Sequence, residues 1–284
     1  KTYAQGSGGK FSPTSGTSWG PKISELPNDA TYGGNTDNKY TQQYGKQQGK
    51  YYVPQRASAG LDPWATPQAY DNAKDFFDTG ITWSNSLNVA QMLEKSSYSI
   101  SLGNTHQDGI ISSTGMDRYN VKVSADTKLT SNWSSGFTAN YITTSIDKAV
   151  TSGNGLLRTV YAAPPSYDLA GIPSHVDGNP YTQNSFRGSF DNAYWAMENN
   201  KFTEDTNRFF GNVYTSYQTD FGTTNHKLNA KYMVGVDAYT THYVDSYGYG
   251  SNTGGGRGQI ENYGWTNATY NSLLTINYDW RINE

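Results

Sequence analysis

Hydrophobic and polar residues alternate along residues 117–142, and this alternation predicts β-strands with two unlike faces. Val121 and Val123 fall on one side of an extended chain, whereas Lys122 falls on the other. After a short turn the same alternation resumes at Trp133. One face of this hairpin is therefore apolar, and the question is whether a protein core or lipid covers it.

The alternation recurs in about seven segments of the chain. The predicted strands are Ile81 to Met92, Ser97 to His106, Arg118 to Leu129, Trp133 to Thr144, Asn207 to Phe221, Lys227 to Tyr243, and Tyr263 to Ile282. One short helix is predicted near Gly155 to Ala162. It ends there because Pro164 and Pro165 cannot donate the backbone hydrogen bonds that would extend it. The sequence predicts an all-β fold with an antiparallel sheet.

The connections between these strands alternate between short and long. Residues 93–96, 130–132 and 222–226 form short connections, whereas residues 145–206 and 244–262 form long ones. Tight turns at one end and long loops at the other are typical of outer-membrane β-barrels. We therefore predict an irregular extracellular loop region at residues 1–80 and a partial transmembrane β-barrel at residues 81–284, with long loops at 145–206 and 244–262.

Aromatic residues are expected at both ends of the apolar stretches. Those near the short turns are Trp133, Phe221, Tyr278 and Trp280, and those near the long loops are Tyr119, Tyr141 and Phe209. Aromatic girdles flanking an apolar band are expected where a barrel meets the two membrane interfaces. The inward face of a secreted β-sandwich or β-helix would alternate in the same way, so the pattern alone leaves those alternatives open.

The composition restricts the function without defining it. The 284 residues have a mean hydropathy of −0.75 and are 35% hydrophobic, which is low for a protein with a large core. Aromatic residues make up 14%, which argues against disorder. A net charge of −3 gives no basic footprint for nucleic acid, and the absence of cysteine excludes disulfides and thiolate zinc sites.

Motifs for catalysis or metal binding are weak. Gly6 to Phe11 lacks the residues that a phosphate-binding loop needs around its lysine. The four histidines, His106, His175, His226 and His242, show no paired ligand spacing, and the oxygen-rich segment Asn28 to Tyr40 lacks the register of a calcium loop. Nothing selects a catalytic pair among Glu198, Glu204 and Asp205. We expect no enzyme activity, no cofactor and no metal, with calcium binding left open.

Ligand contact is a better expectation for two aromatic and polar segments in the long loops. They are Asn179 to Asn200 and Tyr243 to Gly258, which combine aromatic rings with amide and guanidinium donors. The candidate ligand-binding residues are Tyr181, Arg187, Tyr194, Trp195 and Tyr247. Packing within the loops, or docking against a partner, is the alternative role for the same residues.

Several segments resemble, in order, the SusC/RagA family of TonB-dependent outer-membrane transporters. They are "SWGPK" (18–22), "NAKDFFDTGITWSNSLNV" (72–89), "YSISLGNTHQDGIISSTGMDRYNVKVSADTKLTSNW" (98–133), "NRFFGNVYTSYQTDF" (207–221) and "LNAKYMVGVDAY" (228–239). The resemblance covers most of the chain. The "DFFDTG" segment before a strand and the "GIISSTGMDRYN" loop opening the next one are its most specific parts.

The resemblance implies a barrel of about 22 strands closed around a plug. It also implies uptake of oligosaccharides or oligopeptides across the outer membrane of Gram-negative cells. The implied partners are outer-membrane lipid, a SusD-like surface lipoprotein and the TonB complex, but no nucleic acid.

The chain has no recognisable signal peptide, TonB box, plug, first barrel strand or closing strand, so we expect an internal fragment of the barrel region. A secreted β-rich carbohydrate-binding module and a non-transporting structural barrel remain the alternatives.

Overall fold

A seven-stranded antiparallel sheet dominates the computed structural model, which describes residues 2–149, 155–222 and 225–282. The strands are β1 (Thr82–Met92), β2 (Ser96–Asp108), β3 (Gly115–Lys128), β4 (Trp133–Lys148), β5 (Lys201–Thr219), β6 (His226–Tyr247) and β7 (Gln259–Trp280). Each strand pairs with its neighbours in chain order, so the sheet is an up-and-down meander. The predicted antiparallel β fold and all seven predicted strands are confirmed.

The register of the strands places apolar side chains beside apolar ones, and polar side chains beside polar ones, in rows across the sheet. Val123 pairs with Ile100 on β2 and with Ala139 on β4. Because side chains alternate along a strand, this row and the rows two residues away share one face. The opposite face carries the polar residues that the alternation predicted there, including Lys122, Asp126, Lys128, Asn229 and Lys231.

The apolar face of the sheet is exposed along its length. Val121 has 41% of its surface exposed, Val213 has 53% and Leu274 has 61%. No second layer built from the described residues covers this face. The sheet therefore has no core of its own on its apolar side.

The connections are sorted by length between the two ends of the sheet, as predicted. One end has the short turns 93–95 and 129–132 and the short connection from β5 to β6, and the other has the connections 109–114 and 248–258 and the long connection from β4 to β5. At the start of the connection from β5 to β6, Phe221 and Gly222 both adopt positive φ, at 53° and 77°, which turns the chain. The two long loops are shorter than predicted because β4, β5, β6 and β7 extend further toward that end.

The long connections fold into a compact unit with short helices. We call residues 2–80, 109–114, 155–200 and 248–258 the loop unit. Its helices are α1 (Lys39–Tyr44), α2 (Pro54–Ser58), α3 (Asn72–Phe76), α4 (Leu156–Ala162) and α5 (Ala193–Asn199), of which α4 confirms the predicted helix. None of the helices in the described ranges is long and apolar enough to cross a membrane.

The loop unit contains the main hydrophobic core among the described residues. Its buried members come from distant parts of the chain and include Leu26, Tyr51, Phe76, Ile111, Val160, Leu169 and Phe186. Residues 2–80, predicted as an irregular loop region, contribute several of these core residues. Their apolar residues are isolated in sequence and follow no period, so only the tertiary fold reveals that they meet.

Candidate functional site

We call the end of the sheet that carries the long connections its upper end. A cavity of about 290 Å³ lies where the loop unit meets the polar sheet face at this upper end. This volume is near the lower limit of small-molecule pockets, which is about 300 Å³. Side chains from both parts of the molecule line it, among them Lys148, Leu156, Met197, Asn200, Phe202 and Tyr247.

Strand ends position one wall of the cavity. Phe202, the second residue of β5, lies opposite Lys148 at the end of β4. The Phe202 and Tyr247 rings meet edge to face with centroids 5.1 Å apart, and Phe202 is buried. Because the strands continue beyond the apolar band, they hold these side chains beneath the loop unit.

The charged groups of the cavity wall already have partners within the protein. Lys148 Nζ lies 3.2 Å from Glu204 Oε2 and 4.5 Å from the centroid of the Tyr243 ring. The buried Asp191 carboxylate accepts hydrogen bonds from Ser251 Oγ at 2.6 Å and from the Asn252 backbone N–H at 2.7 Å. The cavity therefore offers apolar surface, hydroxyl and amide groups to a small polar ligand, rather than a free charge.

Two of the predicted ligand-binding residues have rings that a ligand could reach, one in the cavity and one on the surface of the loop unit. Tyr247 lines the cavity. Tyr181 is exposed and meets Tyr249 edge to face, with ring centroids 5.8 Å apart. The structure thus keeps both rings available for contact.

Two other predicted residues pack inside the loop unit. Trp195 is fully buried, and its indole N–H donates to Pro180 O at 2.8 Å. Tyr194 packs edge-on against Phe76 and donates its hydroxyl to Asp75 O at 3.3 Å. We therefore assign Trp195 to the core rather than to a ligand surface, because the ring has no exposed face.

Arg187 lies apart from the cavity, beside residues that the sequence analysis did not select. Its Cζ atom is 3.4 Å from the centroid of the Phe190 ring, and Arg158 Cζ is 4.9 Å from the same centroid. One signal could have identified Arg158: within the predicted helix it has no acidic residue three or four positions away. Phe190 gives no comparable signal.

The acidic and histidine residues considered for catalysis or metal binding are dispersed. Glu204 and Asp205 are consecutive in β5 and so point to opposite faces of the sheet. His106 lies between Asp108 and Asp117. The described ranges contain no group of three or more His, Cys, Asp or Glu side chains placed to hold a metal ion.

The oxygen-rich segment at residues 28–40 uses its side chains for local hydrogen bonds. Asp29 Oδ1 accepts from the backbone N–H groups of Thr31 and Tyr32, both at 2.9 Å. Asn38 Oδ1 caps α1 by accepting from the Thr41 backbone N–H at 3.1 Å. These oxygens stabilise a turn and the start of a helix.

Neither a scan against protein-family models nor a search of the curated proteins found a match to this chain. The resemblance to the SusC/RagA family therefore stays a prediction from the segments quoted above.

Proposed function

We propose that this chain forms part of the wall of a TonB-dependent outer-membrane transporter of the SusC/RagA type, which imports oligosaccharides or oligopeptides. In this arrangement the apolar sheet face contacts lipid and the polar face lines the lumen. The loop unit lies outside the cell, where a SusD-like lipoprotein would meet it. The TonB complex would act through a plug.

The observation that carries this proposal is the exposed apolar face. On this face, residues from β2, β3, β4 and β5 line up in three neighbouring rows, which contain Val121, Val123 and Ala125 of β3. Soluble monomers rarely expose contiguous apolar patches larger than a few hundred Å². A soluble binding module would have to leave this surface in water, whereas a bilayer covers it.

The height of the apolar band fits a bilayer. Trp133 and Tyr141 carry the rings at its lower and upper ends on β4, eight residues apart. At about 3.3 Å per residue and a strand tilt of about 40°, this distance corresponds to about 20 Å along the membrane normal, close to the apolar band of about 25 Å in such barrels. Rings flank the band on the same face, with Trp133 and Tyr217 5.0 Å apart at the lower end and Tyr141 and Phe209 near the upper end.

The two edge strands support a larger sheet. β1 and β7 each pair on one side only within the described residues, and every residue of β7 is exposed. Unpaired backbone groups in a bilayer cost several kcal/mol each. A membrane location therefore requires further strands beside β1 and β7, as in a closed barrel.

Arginine substitutions at neighbouring positions test the proposal. Val123→Arg places a cation on the apolar face, where it costs about 2 to 4 kcal/mol at mid-bilayer. Ser124→Arg places the same cation one residue later, on the polar face. In a barrel completed by those further strands, we expect Val123→Arg to reduce insertion into liposomes strongly and Ser124→Arg to reduce it little, as measured by recovery in floated vesicles. Equal losses would contradict the proposed orientation.

A further inference from the structure

Two arginines of the loop unit share one aromatic ring. The guanidinium of Arg187 stacks on Phe190 with 3.4 Å between Cζ and the ring centroid, and that of Arg158 lies 4.9 Å from the same centroid. Arg158 comes from α4, whereas Arg187 comes from the connection before α5. The fold therefore brings two like charges together, which is unfavourable unless something anionic offsets it.

No acidic side chain offsets these charges in the described parts of the chain. The ion pairs there join other residues, and neither arginine takes part in one. Asp191 follows Phe190 directly, but its carboxylate accepts from Ser251 and Asn252 instead. Burial, and after it the neighbouring Arg158, lower the pKa of Arg187.

Arg187 is held in place before any ligand arrives. A Cβ atom added to Gly16 would lie 3.2 Å from Arg187 Cδ, so the side chain packs closely against the N-terminal segment. Ser185 Oγ accepts from the Arg187 backbone N–H at 3.2 Å and donates to Arg187 O at 3.0 Å. A fixed guanidinium loses little conformational entropy on binding, and this favours affinity.

An exposed aromatic ring lies on the same side of α4. Tyr161 follows Arg158 by three residues, and residues at this spacing share a helix face. Tyr161 is 69% exposed, so its ring is open to solvent. A flat exposed ring suits the C–H face of a sugar better than a peptide side chain, which would need a pocket.

We propose that Arg158 and Arg187 bind carboxylate or sulfate groups of an acidic oligosaccharide, while Tyr161 contacts a sugar ring. Planar guanidinium groups match such oxyanions through paired N–H donors. The inference rests on the proposed function in that it selects acidic oligosaccharides from the imported classes.

The test measures binding to the detergent-solubilised full chain by calorimetry. The probes are a galacturonic acid trisaccharide, a sulfated galactose trisaccharide and a neutral galactose trisaccharide of the same linkage. We expect at least one acidic probe to bind and the neutral one not to. Arg158→Gln should weaken binding by about tenfold or more, because it removes a charged hydrogen-bond donor. Lys46→Gln, which removes a charge from an exposed ion pair with Asp37 elsewhere in the loop unit, should leave binding unchanged.

Arg187→Lys is the second variant, since it keeps the charge and the packed stem but loses the planar donor pair. We expect it to weaken binding while near-ultraviolet circular dichroism stays unchanged. Equal binding of the neutral sugar, unchanged binding by Arg158→Gln, or tighter binding of triglutamate would overturn the inference.

Failure of the two proposals can be told apart. If the protein binds none of the sugars, but Val123→Arg still reduces insertion more than Ser124→Arg does, only the inference about acidic sugars is overturned. Retained acidic-sugar binding without that contrast in insertion would contradict the membrane proposal instead.

Discussion

Two buried tyrosines of the loop unit differ in their hydrogen bonding. The Tyr51 hydroxyl donates to Ser166 O at 2.9 Å, whereas the buried Tyr167 hydroxyl has no partner among the described residues. Burial raises the pKa of both phenols, so both stay neutral. The two residues therefore form a matched pair for testing what one hydroxyl contributes.

We predict opposite effects of the same deletion at these two positions. Tyr51→Phe leaves the buried Ser166 carbonyl without its donor and should destabilise the loop unit by about 1 to 3 kcal/mol. Tyr167→Phe removes an unpaired polar atom and should be neutral or stabilising. Thermal unfolding of the full chain, followed by near-ultraviolet circular dichroism, measures both. A larger loss for Tyr167→Phe would mean that its hydroxyl has a partner we have not assigned.

Individual side chains in the strands were easier to place from the sequence than those in the loops. Strict alternation assigned Lys122 and Val123 to opposite faces, and the register confirms this. Trp195 was selected for ligand contact because of its polar neighbours, yet it is buried. In irregular chain no period distinguishes inward from outward positions, so an aromatic ring in a polar segment fits both roles.

The connection from β6 to β7 is fastened to the rest of the loop unit through Asp191. In addition to its bonds from Ser251 and the Asn252 backbone, the carboxylate accepts from Asn252 Nδ2 at 2.9 Å and from Gln183 Nε2 at 2.7 Å. Gly250 makes the close approach possible, since a Cβ atom there would lie 2.0 Å from Tyr181 O. One buried carboxylate thus organises one wall of the cavity.

We predict that Asp191→Asn loosens this connection. The amide replaces one acceptor oxygen by a donor, which then faces other donors and should cost about 1 to 3 kcal/mol. Trypsin should cleave faster after Arg257, which lies in the same connection, as followed by mass spectrometry of the full chain.

Asp168→Asn is the matched control for this cleavage experiment. The Asp168 carboxylate accepts from the Gly171 backbone N–H in a local turn at 2.8 Å, away from the connection. The cleavage rate should therefore stay at its original value. Equal rates for Asp191→Asn and the unmodified chain would show that other contacts, such as Gln183 Nε2 to Gly250 O, hold the connection.

The limits of the strands were less predictable than their existence. β5 begins at Lys201, six residues before its predicted start, and β6 ends at Tyr247 rather than Tyr243. Above the apolar band both faces carry polar residues, so the alternation fades while the backbone pairing continues. Pairs such as Lys148 with Glu204 stabilise that upper part without leaving a hydrophobic period.

The molecule places its apolar residues in two different environments. The loop unit buries them in a core assembled from residues far apart in sequence, and this core was not predictable from local pattern. The sheet instead leaves its apolar side exposed, where the short period made the face predictable. The cavity and the arginine pair lie in or beside the loop unit, so sequence pattern revealed the scaffold better than the candidate sites.

The most direct test of lipid contact uses the absence of native cysteine in this chain. Single cysteines at Val123 and Ala139, which pair on the apolar face, and at Ser124 and Thr138, which pair on the polar face, would carry nitroxide labels in liposomes. Oxygen partitions into lipid and a nickel chelate stays in water. We predict that oxygen dominates relaxation at Val123 and Ala139 and that nickel dominates at Ser124 and Thr138. Nickel-dominated relaxation at Val123 and Ala139 would contradict the account.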